Sequence, residues 1–427
     1  MGRVADAGKA LHKVVELHAH PRRGAEARGV VVQPYRGYGS ADEVFLMGRV
    51  FRQSSSRGRG RPGVLRRDLA NILALILRQG VGGALLVARF ALAEQQVITD
   101  ANGYFQVHLR LTQRPAADCL WHSLDLELRW PLPVFRTRGT FFVPCRTARY
   151  VVISDIDDTV METGVARKLR AFWRLFLEGA QSRVAFPGVA ALYRALHQGL
   201  SGTARNPLLY VSQAPWSLYE MFDEFFHLHD IPVGPILFLR EWGLAPGRPL
   251  PRRVEDHKLS LIRTMLSLYG ELPFVLIGDS GQRDPEIYTQ IVREHPGRVL
   301  AVYIRNVSRN PARLPAIEAL ARQVAQAGAS LVLAADSFVM ARHAAEHHLI
   351  SADALTEVLQ ERAEQQGRTA PTPTHEVKRP TPRATQEAVE RGEVKEKLSQ
   401  PTPTSTPPSV VVTSEQDHAS KDQEPIP

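Results

Sequence analysis

The chain has 427 residues, of which 44% are apolar and 23% are charged. This length predicts two or three domains with a sizeable core, and this composition argues against a fibrous or wholly disordered protein. A formal net charge of +9 favours acidic partners such as phosphates or anionic lipid surfaces. The two cysteines form no Cys-x-x-Cys pair, which argues against a disulfide framework and favours a cytoplasmic location.

The first part of the chain contains no targeting or membrane-spanning pattern. Residues 1–28 form a polar lead-in without the apolar segment of a signal peptide. The longest apolar stretch, residues 69–93, is interrupted by Arg78, Arg89 and three glycines. Because a spanning helix needs about 20 nearly uncharged residues, we interpret this stretch as a helix followed by a strand.

Residues 29–147 have the pattern of a small β-rich, sandwich-like domain. Short apolar runs alternate with turn signals, and residues 97–107 resemble a hairpin with Asn102 and Gly103 in its turn. The Arg- and Gly-rich stretch at residues 57–62 is interpreted as a solvated loop.

Residues 148–362 alternate between apolar strands and amphipathic helices, which is typical of an α/β fold with a doubly wound parallel sheet. The predicted strands are residues 150–154, 208–212, 236–239, 274–278, 299–304 and 331–335. Two clear helical patterns cover residues 189–198 and 258–269. Residues 363–427 are rich in Pro, Thr, Ser, Glu and Lys, so we expect a disordered tail.

Polar groups follow several of these strands. The first strand ends in Asp155 and Asp157, with Thr159 two residues further on. Alternate residues of an extended segment lie on the same side, and ligands bind parallel sheets beyond the carboxyl ends of the strands. Ser212 ends the second strand, Lys258 opens a helix, and Asp279 and Asp284 follow the fourth strand. These side chains are therefore expected to meet at one edge of the sheet.

The pattern Asp-x-Asp-x-Thr after an apolar strand resembles the opening motif of the haloacid dehalogenase superfamily. The resemblance implies a phosphatase in which Asp155 attacks phosphorus, Asp157 acts as general acid and base, and Thr159 holds the turn. Ser212 and Lys258 would bind the transferring phosphoryl group, with Arg252 and Arg253 as competing cations. The predicted ligands of Mg²⁺ are Asp155, Asp157, Asp279 and Asp284.

Longer stretches resemble the actin-patch-type phosphatidate phosphatase family over about residues 29–345. They are residues 33–39, 154–160, 210–216, 239–243, 257–258 and 278–282. The resemblance implies Mg²⁺-dependent release of phosphate from phosphatidic acid through an aspartyl-phosphate intermediate. The alternative substrates are a soluble or a nucleic-acid phosphomonoester, although nucleic acid is not the partner that we expect.

Residues 165–177 predict a basic amphipathic helix directly after the first motif. Leu169, Phe172, Trp173 and Phe176 share one face, and four basic residues lie largely elsewhere. Such a helix suits peripheral contact with an anionic membrane; the alternative is a helix whose apolar face packs on the sheet.

Two other interpretations remain open. His343, Glu346 and His347 match the His-x-x-Glu-His pattern of inverted zinc peptidases, but an exposed, His-rich helix accounts for them as well. The chain could also be a non-enzymatic adaptor that binds anionic surfaces. The intact set of strand-end acids favours the enzyme.

Overall fold

The computed structural model describes residues 26–27, 29–52, 78–156, 188–212, 216–238, 254–308, 310–367 and 410–412. These ranges contain a β-rich part, whose last strand ends at Phe142, and an α/β part that begins with a strand at Val151. Within these ranges, no helix combines the length and the apolar character that crossing a bilayer requires.

The described residues of the β-rich part form nine strands. They are β1 (Glu26–Ala27), β2 (Val30–Pro34), β3 (Gly37–Gly39), β4 (Glu43–Arg52), β5 (Leu85–Phe90), β6 (Ala93–Ile98), β7 (Tyr104–Arg110), β8 (Trp121–Trp130) and β9 (Phe135–Phe142). Hydrogen bonds join all nine into one sheet, in the order β1-β2-β4-β3-β9-β8-β5-β6, with β7 paired to β4. The ten residues of β4 give it room to pair with β2 and β3 on one side and with β7 on the other. The expected sandwich is thus one connected sheet around its own apolar core.

The predicted hairpin at residues 97–107 is wrong in its pairing. A turn does lie at the expected place, with Gly103 at φ +82°. The strands that flank the turn pair elsewhere, however: β6 pairs with β5, and β7 pairs with β4. Local turn chemistry marks the reversal, but the choice of strand partners depends on side chains far away in the sequence.

The α/β part contains a seven-stranded sheet in the order β12-β11-β10-β13-β14-β15-β16. Its strands are β10 (Val151–Asp155), β11 (Leu208–Ser212), β12 (Ile236–Phe238), β13 (Phe274–Asp279), β14 (Val299–Arg305), β15 (Ser330–Ala334) and β16 (Val410–Val412). All neighbours are parallel except the last pair, β15 and β16. The six predicted strands are confirmed, since each observed strand lies within one residue of its expected bounds.

Seven helices are described. They are α1 (Val189–Gln198), α2 (Tyr219–Leu228), α3 (Val254–Leu268), α4 (Asp284–Glu294), α5 (Arg313–Gln326), α6 (Ser337–Glu346) and α7 (Ala352–Gly367); a short 3-10 turn (Trp216–Leu218) precedes α2. Two apolar cores contain alternate residues of the central strands, such as Val152 in one and Ile153 in the other. The sheet is therefore covered on both faces, as the near-continuous apolar strands predict.

The structure differs from the expected tail at two places. Helix α7 continues to Gly367, five residues beyond the boundary drawn from composition. Val410–Val412 pairs antiparallel with β15 as an outer strand of the sheet. Three consecutive valines favour an extended backbone, and the open edge of β15 provides hydrogen-bonding groups for them.

Candidate phosphoryl-transfer site

Four of the predicted site residues meet at the carboxyl ends of the central strands. Asp155 ends β10, Asp279 ends the neighbouring strand β13, and Asp284 begins α4. One carboxylate oxygen from each of the three residues lies within 4.8 Å of the corresponding oxygens of the other two. All three side chains are buried, although isolated buried carboxylates are costly. They form the only group of three or more potential metal-ligating side chains found among the described residues.

Lys258 supplies the compensating charge. Its Nζ lies 3.2 Å from Asp155 Oδ2 and donates a hydrogen bond to Asp284 Oδ1. Burial alone would lower the pKa of Lys258, but attraction to Asp155 and Asp284 outweighs it and holds the pKa well above its usual value. Lys258 is therefore a fixed positive charge between two acids. The ring of Tyr288 lies 5.4 Å from the same Nζ.

The backbone after β13 shapes the acidic cluster. Asp279 Oδ1 accepts hydrogen bonds from the backbone N–H groups of Gly281 (2.7 Å) and Gln282 (3.0 Å). The backbone N–H of Asp279 in turn donates to Asp284 Oδ2 at 3.1 Å. A Cβ atom at Gly278 would overlap the Asp284 carboxylate, so glycine at this position allows Asp284, at the start of α4, to approach the end of β13.

Sequence reasoning missed Gln282. Its Nε2 donates to Asp155 Oδ2 at 3.1 Å and lies 3.3 Å from Asp279 Oδ2. Arg313 Nη2 donates a hydrogen bond to the backbone carbonyl oxygen of Gln282 at 2.6 Å. Gln282 lies within the motif that includes Gly278 and Asp279, but an amide side chain has no charge or strand-end position to mark it as part of the site.

Ser212 is buried at the end of β11, directly beside β10. In the parallel register Val211 faces Asp155, and the backbone N–H of Ile156 donates to Val211 O at 2.7 Å. The Ser212 side chain is thus placed at the same edge of the sheet as Asp155. Asp157, Thr159, Arg252, Arg253 and the helix predicted at 165–177 lie outside the described residues.

The His-x-x-Glu-His pattern lies elsewhere, on α6. His343 is buried, with Nδ1 3.1 Å from the hydroxyl of Tyr303, and its ring stacks on His347 at 4.1 Å. Burial, with a smaller contribution from the neighbouring His347, lowers the pKa of His343 to about 4. His343 thus packs in the core, which differs from the exposed histidine helix expected from the sequence.

Comparison with known proteins places the acidic cluster inside a recognised domain. The sequence model of the phosphatidate phosphatase APP1 catalytic domain matches residues 150–306. The phosphatidate phosphatase APP1 of Saccharomyces cerevisiae is 32% identical over 165 residues, which are 38% of this chain and 27% of that protein. An uncharacterized protein of Schizosaccharomyces pombe is 30% identical over 156 residues, 36% of this chain and 25% of its own length. The chain thus spans about a quarter of the length of these relatives.

Similarity to solved structures is weak. The structural alignment with a β-glucuronidase of Parabacteroides merdae covers 65% of this chain and 40% of the glucuronidase chain, with a TM-score of 0.21 and 7% sequence identity. The family match, by contrast, contains Asp155, Ser212, Lys258, Asp279 and Asp284. Residues 150–306 are therefore similar to the phosphatidate phosphatase APP1 catalytic domain.

Proposed function

We propose that this chain is a Mg²⁺-dependent phosphatidate phosphatase with a haloacid dehalogenase-like catalytic domain. The observation that carries the proposal is the buried cluster of Asp155, Asp279 and Asp284 around Lys258, at the carboxyl edge of a parallel sheet. Burying four ionisable groups together is costly. An adaptor that merely binds anionic surfaces has no use for such a cluster, whereas phosphoryl transfer needs both its acids and its cation.

The donor set fits a small, hard cation. Mg²⁺ prefers carboxylate oxygens and water, and Asp155, Asp279 and Asp284 present three buried carboxylates against one lysine. These acids, together with Asp157, would hold the ion. When bound, Mg²⁺ would reduce the repulsion between the anionic nucleophile and the anionic phosphate.

In the proposed reaction, a carboxylate oxygen of Asp155 attacks phosphorus and the bond from phosphorus to the ester oxygen breaks. Asp157 gives its proton to the departing oxygen, which releases diacylglycerol and leaves an aspartyl-phosphate. Asp157 then takes a proton from water as the water oxygen attacks phosphorus, which releases phosphate and restores the Asp155 carboxylate. Ser212 and Lys258 would stabilise the transferring phosphoryl oxygens, and Thr159 would hold the turn.

The substrate class follows from the relative in yeast, which is named a phosphatidate phosphatase. Phosphatidic acid resides in membranes, so the proposal includes peripheral contact with an anionic bilayer from the cytoplasmic side. The basic amphipathic pattern at residues 165–177 supports this contact. A soluble or nucleic-acid phosphomonoester is the alternative substrate.

A substrate comparison tests the function. Purified full-length chain is incubated with phosphatidic acid in anionic vesicles, with a soluble phosphomonoester and with a 5′-phosphorylated oligonucleotide, each with Mg²⁺ or with chelator. We expect phosphate release from phosphatidic acid to be fastest and to stop in chelator. Faster release from either other substrate would overturn the lipid assignment, and no release from any of them would overturn the phosphatase assignment.

Removal of one proposed metal ligand gives a second test. We expect Asp279→Ala to raise the Mg²⁺ concentration needed for half-maximal activity by about tenfold or more, because a direct carboxylate ligand from a second strand is lost. A Mg²⁺ titration of phosphate release measures this shift. Glu294→Ala, which removes an acid at the end of α4 that pairs with Arg263, is the control and should leave the titration unchanged. An unchanged titration for Asp279→Ala would mean that other groups hold the metal.

A further inference from the structure

The β-rich part contacts the segment that follows Ser212. Tyr35, between β2 and β3, is buried and stacks on Trp216 with ring centroids 5.0 Å apart. It also packs on Tyr219 at 4.3 Å. Trp216 comes four residues after Ser212 and Tyr219 begins α2. The contact therefore joins two parts of the chain that are more than 180 residues apart.

Polar contacts reinforce this junction. The backbone N–H of Arg36 donates to the Tyr219 hydroxyl at 2.8 Å, and the Arg36 guanidinium forms an ion pair with Asp223. One turn of helix further on, His227 Nε2 lies 3.3 Å from Arg36 Nη2. Positions 219, 223 and 227 lie on one face of a helix because they are spaced by four residues, so Arg36 runs along that face of α2.

A second arginine of the β-rich part binds the start of the same helix. Arg78 Nη1 lies 3.0 and 3.1 Å from the two carboxylate oxygens of Glu220. The Arg78 guanidinium lies over the ring of Phe51 at 4.6 Å, and its backbone carbonyl accepts a hydrogen bond from Arg49. Arg78 is thus itself fixed within the β-rich part. The first turn of α2 therefore contacts the β-rich part through Tyr35, Arg36 and Arg78.

The junction continues to the proposed phosphate site. Trp216 packs on Phe238 of β12 with ring centroids 4.6 Å apart. Phe238 is fully buried and is the register partner of Ser212 across the β11–β12 ladder. Tyr35, Trp216 and Phe238 therefore form a continuous chain of aromatic contacts that reaches the strand pair where Ser212 lies.

We infer that Tyr35 and Arg36 are positioning residues for the phosphoryl-binding end of β11, so that the β-rich part completes the phosphatase site without touching substrate. The inference rests on the proposed function of Ser212. A hydroxyl aligns with a phosphoryl oxygen only if its strand end is fixed, and small displacements of such donors reduce transition-state stabilisation. The buried stack and the Arg36–Asp223 ion pair fix that strand end from outside the α/β part.

Arg36→Gln, Asp223→Asn and the double variant test the inference in the full chain. For Arg36→Gln we expect the KM for a soluble phosphomonoester and the inhibition constant of inorganic phosphate to rise by about five- to tenfold, a change of the size that one hydrogen bond typically contributes. The double variant should be no worse than the more affected single one, because both single changes break the same contact. Arg138→Gln, which breaks an ion pair with Asp125 inside the β-rich part, is the matched control and should leave both constants unchanged.

Hydrogen exchange provides a readout that does not depend on turnover. In Arg36→Gln, backbone amides of residues 208–222 should exchange faster, while those of β13 should keep the wild-type rate. Unchanged KM, phosphate inhibition and exchange in a folded Arg36→Gln, with only a lower melting temperature, would overturn the inference and reduce the junction to a structural contact. A wild-type chain that hydrolyses no phosphomonoester would instead overturn the proposed function, and the exchange experiment would still decide whether Arg36 orders the end of β11.

Discussion

Replacement of Asp155 by Asn is expected to lower kcat for phosphate release by at least about 1,000-fold, since loss of a nucleophile typically costs this much or more. Asn has almost the same shape as Asp, and its amide oxygen can still accept the hydrogen bond from Gln282 Nε2. It has no negative charge with which to attack phosphorus. Phosphate release under saturating substrate and Mg²⁺ measures the effect, and circular dichroism checks that the variant is folded.

The control for this prediction is a neighbouring acid that takes no part in the proposed chemistry. Asp256 lies on α3, two residues before Lys258, and is exposed. The control variant is Asp256→Asn. This variant should retain wild-type kcat. Near-normal turnover by a folded Asp155→Asn variant would show that phosphorus is attacked by another group.

Replacement of Lys258 by Met is expected to affect both stability and activity. The methionine fills most of the space of the lysine stem but leaves Asp155 and Asp284 buried without their shared cation. Breaking a buried ion pair by removal of one partner typically costs about 3–5 kcal/mol of unfolding free energy. We therefore expect a destabilisation of this size in chelator, and a smaller one in excess Mg²⁺, because a bound cation would supply part of the lost charge.

Arg263→Met on the same helix is the matched control. Arg263 pairs with Glu294 at 2.6 Å, but the two side chains are 43% and 32% exposed. Exposed pairs contribute at most about 1 kcal/mol, so denaturant unfolding should separate the two variants clearly. Equal destabilisation of both, or a Lys258→Met variant with wild-type phosphate release, would contradict the role given to Lys258.

The α/β part was the most predictable from sequence, for a physical reason. Each buried parallel strand is a nearly continuous apolar run, so strands such as Leu208–Ser212 can be bounded from composition alone. Parallel strands present their carboxyl ends at one edge, so the motif order predicts that Asp155 and Asp279 meet. In the structure, carboxylate oxygens of Asp155, Asp279 and Asp284 lie within 4.8 Å of one another, and Lys258, which was also expected at this edge, pairs with Asp155 and Asp284.

Contacts between distant parts of the chain could not be predicted in this way. The stack of Tyr35 on Trp216 and the ion pair of Arg36 with Asp223 depend on how two folded units meet, which no local periodicity encodes. The pairing of β16 with β15 has the same origin, because three valines mark a strand but not its partner. Gln282 was missed for a chemical reason, since an uncharged amide becomes part of the site only through the two carboxylates it contacts.

The most direct test of the central claim is to locate the phosphate on the protein during turnover. Full-length chain is mixed with excess phosphatidic acid and Mg²⁺, quenched in acid within the first turnover, digested and analysed by mass spectrometry. The proposed mechanism predicts a phosphorylated peptide whose modified residue is Asp155, and no such peptide from Asp155→Asn. Phosphate on a different residue, or rapid turnover without phosphate on the protein at any quench time, would contradict it.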